Sequence, residues 1–416
     1  VRLASAGLFA LVPLAAALAA CGGGGDAVPP VDAGPVPPDA AVFEPVDVIL
    51  ERVSVATDGT EASAASTQPV ASADGRYVAF VSAAPEFAVD GNGIAQVYVV
   101  DREEPSFARA SVAPGVPAGD GASSLPTLSD DGRTIAFESL ADDLAANARA
   151  GVTDVFVRNL DNEVTALASA DLESDATRPN ISGDGNLVLF DTTVTADTPQ
   201  GPRSESRVME YVPGTEAPVV FTGDGVPAAM PDISGDGNFA AFAIGSDLWR
   251  YERATGAAGR TTRVLQAEGL DARLRPSIDT TGERIAFTTG NRIFVVVVGT
   301  QTLRVSQSYD GQDPNGPCTW PSLSGDGRFA AFACDADNLV PDDDNDARDV
   351  FLHDIDNQRI VRLSIAADRS SGNGASDQPF ITRDGRFIVF SSAASNLVAG
   401  DENGVADVFI ASNPLL

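Results

Sequence analysis

Residues 320–332 read Trp320-Pro321-Ser322-Leu323-Ser324-Gly325-Asp326-Gly327-Arg328-Phe329-Ala330-Ala331-Phe332: a proline, a short apolar-and-serine segment, an Asp-Gly pair and a closing apolar run. Asp-Gly between two runs of strand-forming residues marks a tight hairpin, because Gly takes positive φ without steric cost and Asp bonds its own backbone. The pattern begins again at Pro69, Pro126, Pro179, Pro231, Pro276 and Pro379, so the chain holds seven copies spaced about 45 to 58 residues apart. Their turn pairs are Asp74-Gly75, Asp131-Gly132, Asp184-Gly185, Asp236-Gly237, Asp326-Gly327 and Asp384-Gly385, with Thr281 replacing Asp in the fifth copy. Repetition assigns these residues, and the Ser before them (Ser72, Ser129, Ser182, Ser234, Ser324), to turn structure, since an active site needs only one set. The proline is read as a strand's first position, where a missing N–H costs little.

Outward from each turn, the flanking segments complete a unit of four strands. A strand such as Leu303-Arg304-Val305-Ser306 or Ile360-Val361-Arg362-Leu363-Ser364 opens it, and the Asp-Gly hairpin follows. A variable loop then leads to a strand such as Asp154-Val155-Phe156-Val157 or Asp407-Val408-Phe409-Ile410. Apolar residues on both faces of runs such as Phe387-Ile388-Val389-Phe390 imply strands covered on both sides, as where sheets pack face to face. Four antiparallel strands in about 50 residues, repeated seven times, predict an all-β chain folded as a seven-bladed β-propeller. An unpartnered strand around Ile49 to Ala56 precedes the first core, and no strand of that type follows Ile410. Closure of the last blade by this N-terminal strand is therefore expected, which would leave no exposed sheet edge.

These cores resemble the TolB-type, WD-like propeller repeats, whose signature is Ser-Pro-Asp-Gly before an apolar strand. The resemblance covers about residues 48 to 412 and implies a binding propeller of the bacterial envelope. It departs from TolB in a count of seven blades against six, and in lacking TolB's α/β N-terminal domain.

Composition narrows the partners. A formal charge of -32, from 59 acidic and 27 basic residues, disfavours nucleic acid, whose non-specific affinity rests on Lys and Arg neutralising phosphates. At the N-terminus, Arg2 and the apolar run Leu8 to Ala20 read as a secretory signal (residues 1–20), since a membrane span needs about 20 apolar residues. Leu18-Ala19-Ala20-Cys21 resembles the bacterial lipobox, which implies lipid attachment at Cys21 and, with Gly22 next, sorting to the outer membrane. Residues 21–47 are rich in Gly, Pro, Ala and Asp and read as a disordered tether with a reach of roughly 80 Å.

Alternate connections of a four-stranded blade fall on opposite faces, and the long ones share the face opposite the Asp-Gly turns: Ala56 to Gln68, Asn338 to Arg348, Ser370 to Gln378 and Asn396 to Ala406. Rigid scaffolds carry recognition on such loops. Within them, Asp343-x-Asn345-x-x-x-Asp349 and Asp401-x-Asn403-x-x-x-Asp407 occupy equivalent positions, with a partial copy at Asp90-x-Asn92. Alternating Asp and Asn supply the oxygens that Ca²⁺ takes, and equally cap turns; both readings stand. Cys318 and Cys334 lie eight residues either side of Asp326, so an in-register hairpin would set them opposite each other as a disulfide of an exported protein. His353, the one histidine, falls within a strand and has no nucleophile context. The sequence thus points to a monomeric, envelope-anchored lipoprotein whose propeller is a non-enzymatic platform for a protein partner or ligand. The alternatives are a propeller hydrolase or lyase acting on glycan or peptide, and a calcium-dependent adhesion module.

Overall fold

The structure, a computed structural model, describes residues 46–88, 93–104, 106–113, 115, 119–198, 201–222, 227–253, 260–266 and 276–416. The signal segment, Cys21, nearly all of the tether, and Asp90 and Asn92 lie outside the described residues.

Seven four-stranded antiparallel sheets make up the chain. In blade six, Cys318–Leu323, Phe329–Cys334, Asp349–Asp354 and Arg359–Arg362 lie side by side in chain order. Blades one to five repeat the plan over residues 66–109, 123–167, 176–220, 228–266 and 277–304, and blade seven over 376–412. The fourth strand of blade seven comes from the other end of the chain: Leu50–Arg52 pairs with Asp407–Ser412, Leu50 opposite Ala411 and Arg52 opposite Phe409. The first strand of every blade touches the first strand of the next around the whole circle, so these strands line a central channel. The one helical turn among the described residues is Pro85–Phe87.

Blades cohere through buried aromatics at one repeated position. Phe137–Phe156, Phe287–Phe294, Phe332–Phe351 and Phe390–Phe409 each stack between the second and third strands at centroid separations of 5.7 to 5.9 Å. Offset stacking at that distance is the favoured arrangement of the ring quadrupoles. The turn glycine serves packing between blades as well as chain reversal: Gly132 has φ +71°, and a Cβ there would overlap the ring of Tyr77 in blade one.

The repeat proline corrects the expectation of a strand's first position. Pro69, Pro126, Pro179, Pro231, Pro321 and Pro379 lie mid-strand, at a shift in register. The residue before each (Gln68, Leu125, Arg178, Met230, Trp320, Gln378) has φ between 47° and 58°. A bulge leaves one residue outside the ladder, so a residue without N–H fits there. In blades one to four the amide of the left-handed residue is received by the preceding blade: Gln68 N–H donates to Gln378 Oε1 at 2.8 Å, Leu125 to Gln68 Oε1 at 2.7 Å, and Arg178 to Glu138 Oε2 at 3.1 Å. Met230 N–H lies 2.9 Å from both carboxylate oxygens of Asp191.

Blade three breaks the pattern. Its second and third strands, Val188–Thr198 and Gly201–Tyr211, have 11 residues each against 6 in strands such as Phe329–Cys334, and continue as a two-stranded arm on the side of the long loops.

Candidate functional site

Every group with chemical potential is best judged by what already holds it. In blade one, Ser72 Oγ donates to Asp74 Oδ1 at 2.7 Å, the same oxygen receives Arg76 N–H at 3.0 Å, and Tyr77 N–H donates to Ser72 Oγ at 2.9 Å. The hydroxyl–carboxylate pair recurs at Ser129–Asp131, Ser182–Asp184, Ser234–Asp236, Ser324–Asp326 and Thr382–Asp384. Blade five reverses it: Asp279 stands at the Ser position, and Thr281 Oγ1 donates to its Oδ2 at 2.9 Å. The pairing survives with its members exchanged, which explains why Thr281 is tolerated.

The Asp/Asn loops enclose arginines. In blade six the Arg362 guanidinium lies 2.5 Å from Asp343 Oδ1 and 3.3 Å from Asp349 Oδ2, and donates to Asp342 O at 2.7 Å and Ser371 Oγ at 2.9 Å. Asn345 turns its Nδ2 donor to Asp349 Oδ2 at 3.0 Å, and the Ser364 hydroxyl donates to Asp349 Oδ1. Blade seven repeats this across the ring closure. Arg52 approaches Asp401 at 3.2 Å, Asp407 at 3.6 Å and Glu61 at 2.5 Å, while Asn403 Nδ2 and Ser54 Oγ donate to Asp407 at 2.9 and 2.5 Å. A calcium ion takes six to eight oxygen lone pairs. Here a guanidinium and amide and hydroxyl donors engage Asp349 and Asp407, Arg362 takes Asp343 Oδ1 and Arg52 faces Asp401, while Asp343 Oδ2 is buried with no hydrogen-bond partner among the described residues. Asn345 and Asn403 turn nitrogen toward the carboxylates, an arrangement that favours turn and ion-pair chemistry over a calcium loop. Burial, and then the adjacent Asp349 charge, push Asp343 up to about 7, against the pull of Arg362.

The channel narrows at the turn face. The residues between Ser and Asp of the turns are Ala73, Asp130, Gly183, Gly235, Thr280, Gly325 and Arg383. Their backbones bond from blade to blade: Ala73 N–H to Asp130 O at 2.9 Å, Asp130 to Gly183 O and Gly183 to Gly235 O at 2.8 Å, and Thr280 to Gly325 O and Gly325 to Arg383 O at 2.9 Å. Arg383 of blade seven reaches past blade one to Asp130 of blade two, Nε to Oδ1 at 2.6 Å. Burial raises the Asp130 carboxyl, and the Arg383 charge opposes it. Glycine makes the room: a Cβ on Gly235 would lie 2.9 Å from an Arg383 nitrogen, and one on Gly183 would strike Asp130 Oδ2.

Above this bridge lies a cavity of about 50 Å³, lined among others by Thr127, Asn180, Asp232, Ser277, Ser322 and Phe380. Five of these side chains also join neighbouring blades. Thr127 Oγ1, Asn180 Oδ1, Asp232 Oδ2, Ser277 Oγ and Ser322 Oγ accept the N–H of Ile181, Ile233, Ile278, Leu323 and Ile381, at 3.4, 3.2, 2.7, 3.0 and 3.1 Å. The equivalent residues in blades seven and one are Phe380 and Val70, which offer no acceptor. A space of this size admits a few water molecules, not a sugar or a peptide side chain.

On the loop side, Glu138 and Asp191 stand in second strands where other blades have Val81, Ala243 and Ala333. Arg178, 40% exposed, pairs with Asp191 at 2.8 Å. The legible signal was a carboxylate inside an otherwise apolar run, Thr134–Ser139 and Val188–Thr192. His353 is buried; desolvation lowers its imidazole to about 4, only partly opposed by the Asp354 charge. Cys318 and Cys334 are register partners with sulfurs 1.99 Å apart, a disulfide in blade six. Among the described residues no group of three or more His, Cys, Asp or Glu side chains is arranged to hold a metal ion, and no helix is long and apolar enough to cross a membrane.

Seven four-stranded blades closed by an N-terminal strand define the chain as a seven-bladed β-propeller. Among solved structures it is similar to a prolyl endopeptidase (14% identity, TM-score 0.51, covering 88% of this chain and 51% of that one). It also matches TolB from Acinetobacter baumannii (18%, TM-score 0.37, 63% and 64%) and a protein assigned as TolB from Agrobacterium tumefaciens (16%, TM-score 0.41, 71% and 91%). At 14% identity the first likeness is one of fold, and this chain spans about half the length of that endopeptidase. No family model and no curated protein matches the chain.

Proposed function

We propose that the propeller is a non-enzymatic binding platform of the bacterial envelope, that it recognises a protein partner through its long-loop face, and that Cys21 carries the lipid anchor. The observation behind this reading is the bridged channel. The Arg383–Asp130 pair crosses its turn-face end, where backbone bonds join the turns of six of the seven neighbouring blade pairs, and the cavity above is too small for a substrate group. Recognition then falls to the rim, where the long loops stand on a rigid scaffold. The groups a catalyst would use are committed elsewhere: Ser and Asp to the turns, Arg362 and Arg52 to the loop aspartates, and His353 to a buried strand. The lipid anchor rests on the Leu-Ala-Ala-Cys sequence alone, and the Cys21→Ser chain is expected to move from the membrane to the soluble fraction.

Photo-crosslinking tests the face. Benzoylphenylalanine is placed at exposed loop-face positions 146 and 402 and at exposed turn-face positions 103 and 162, in cells that express the full chain. Protein adducts are expected from 146 and 402. Adducts from 103 and 162 alone would remove the proposal, and turnover of a glycan or peptide library by the purified propeller would favour the enzyme reading.

A further inference from the structure

The arm of blade three has an open edge. In blades one, two, four, six and seven the second strand is paired by the first to its last residue, as in Ser66 opposite Ser82 and Cys318 opposite Cys334. In blade three this pairing stops at Ala176 opposite Thr192, while the second strand runs on to Thr198, paired among the described residues with the third strand alone. Residues 193–198 therefore present about 20 Å of strand edge, at roughly 3.4 Å per residue, with every second residue turning N–H and C=O outward.

The two edges of the arm differ. The outer one contains Pro202, which has no N–H to give, a feature that disfavours strand addition. The inner one, Thr193-Val194-Thr195-Ala196-Asp197-Thr198, has no proline and is dominated by β-branched residues that favour extended structure. The loop approaching Ala176 runs beside the base of this inner edge, tied to it by Thr192 Oγ1 donating to Asp175 O at 3.0 Å. It exposes three carboxylates, Asp171, Glu173 and Asp175.

We infer that residues 193–198 receive an extended, Lys- or Arg-bearing peptide segment as an added antiparallel strand. The inference rests on the loop face being the recognition surface, and it names the partner chemistry for one sector of that face. Main-chain bonds to the open edge supply affinity and register, and the carboxylates beside the arm select positive charge. A second copy of a chain carrying -32 is disfavoured by net repulsion.

The probe is fluorescein-labelled Lys-Val-Lys-Val-Lys-Val-Lys, followed by anisotropy with the purified chain. Comparison peptides carry Glu for Lys, or N-methyl groups on alternate amides. Replacing residues 194–205 by Asn-Gly trims the arm to a two-residue hairpin on six-residue strands, as in blades four and five. The trimmed chain and the N-methylated peptide are each expected to bind at least about tenfold more weakly, and the Glu peptide not measurably. The Asp171→Asn, Glu173→Gln chain should bind a few-fold more weakly and with a shallower salt dependence. Equal affinity of the trimmed chain, equal affinity of the N-methylated peptide, or no binding at all overturns the inference. A wild-type dimer in sedimentation that the trimmed chain does not form would assign the edge to a second copy and overturn it too. Crosslinks from positions 146 and 402 that persist in the trimmed chain would leave the loop-face proposal standing while this one fails.

Discussion

Replacing Arg362 by glutamine removes the cation that two buried carboxylates share. Asp343 and Asp349 side chains are 1% and 0% exposed and Arg362 is 5% exposed, so solvent cannot take the guanidinium's place. Breaking a buried ion pair by deleting one partner costs about 3 to 5 kcal/mol. With an unfolding entropy of roughly 2.1 cal/mol/K per residue over about 370 residues, that loss lowers Tm by about 4 to 6 °C. The pH dependence is a second signature. Asp343 is pushed up to about 7 from an ordinary 3.8, so the folded state holds a proton that the unfolded state releases. Its stabilising contribution is complete below pH 3.8 and is lost as pH rises through 7. Without Arg362 the carboxyls are pushed further up, so the Arg362→Gln deficit grows between pH 5.5 and pH 8. Calorimetry at both pH values, with the exposed Arg133→Gln as control, measures this; a Tm within about 1 °C of wild type at pH 8, or an equal deficit at both pH values, would refute it.

Because Arg362 and Arg52 already neutralise the Asp/Asn loops, millimolar calcium and EDTA are expected to leave Tm unchanged to within about 1 °C; a rise that grows with calcium concentration would show a cation site. Gly183→Ala should lower Tm by about 1 to 4 °C, since its methyl group would overlap Asp130 Oδ2 and lie 2.7 Å from Gly235 O; an unchanged Tm would mean that the turn-face ring has slack. In the Cys21→Ser chain, denatured without reductant, no thiol is expected to react, and two should react after reduction; two before reduction would exclude the Cys318–Cys334 bond.

The channel and the loop face were legible to different degrees. Ser324, Asp326 and Gly327 announce a hairpin wherever they recur, because the bonds that make the turn close within five residues of chain, as Phe329 N–H to Ser324 Oγ does at 3.0 Å. The Asp/Asn spacing was visible too, but not what it holds, since Arg362 and Arg52 arrive from strands outside the loops. Nor did the repeat show where its proline sits: in blades one to four the mid-strand bulge is met by Gln378, Gln68, Glu138 and Asp191, which reach over from preceding blades to take the displaced amide.

Sequence alone determined the all-β class, the number of blades and the strand that closes the ring, because each follows from turn chemistry and apolar alternation repeated over short distances. Only the tertiary structure decided which distant side chains meet. Arg383 finds Asp130 because ring closure returns blade seven to within one blade of blade two, and the three turn-face glycines leave the space between. The arm of blade three is open for the same kind of reason: an edge exists only where a neighbouring strand stops, and Ala176 stops opposite Thr192.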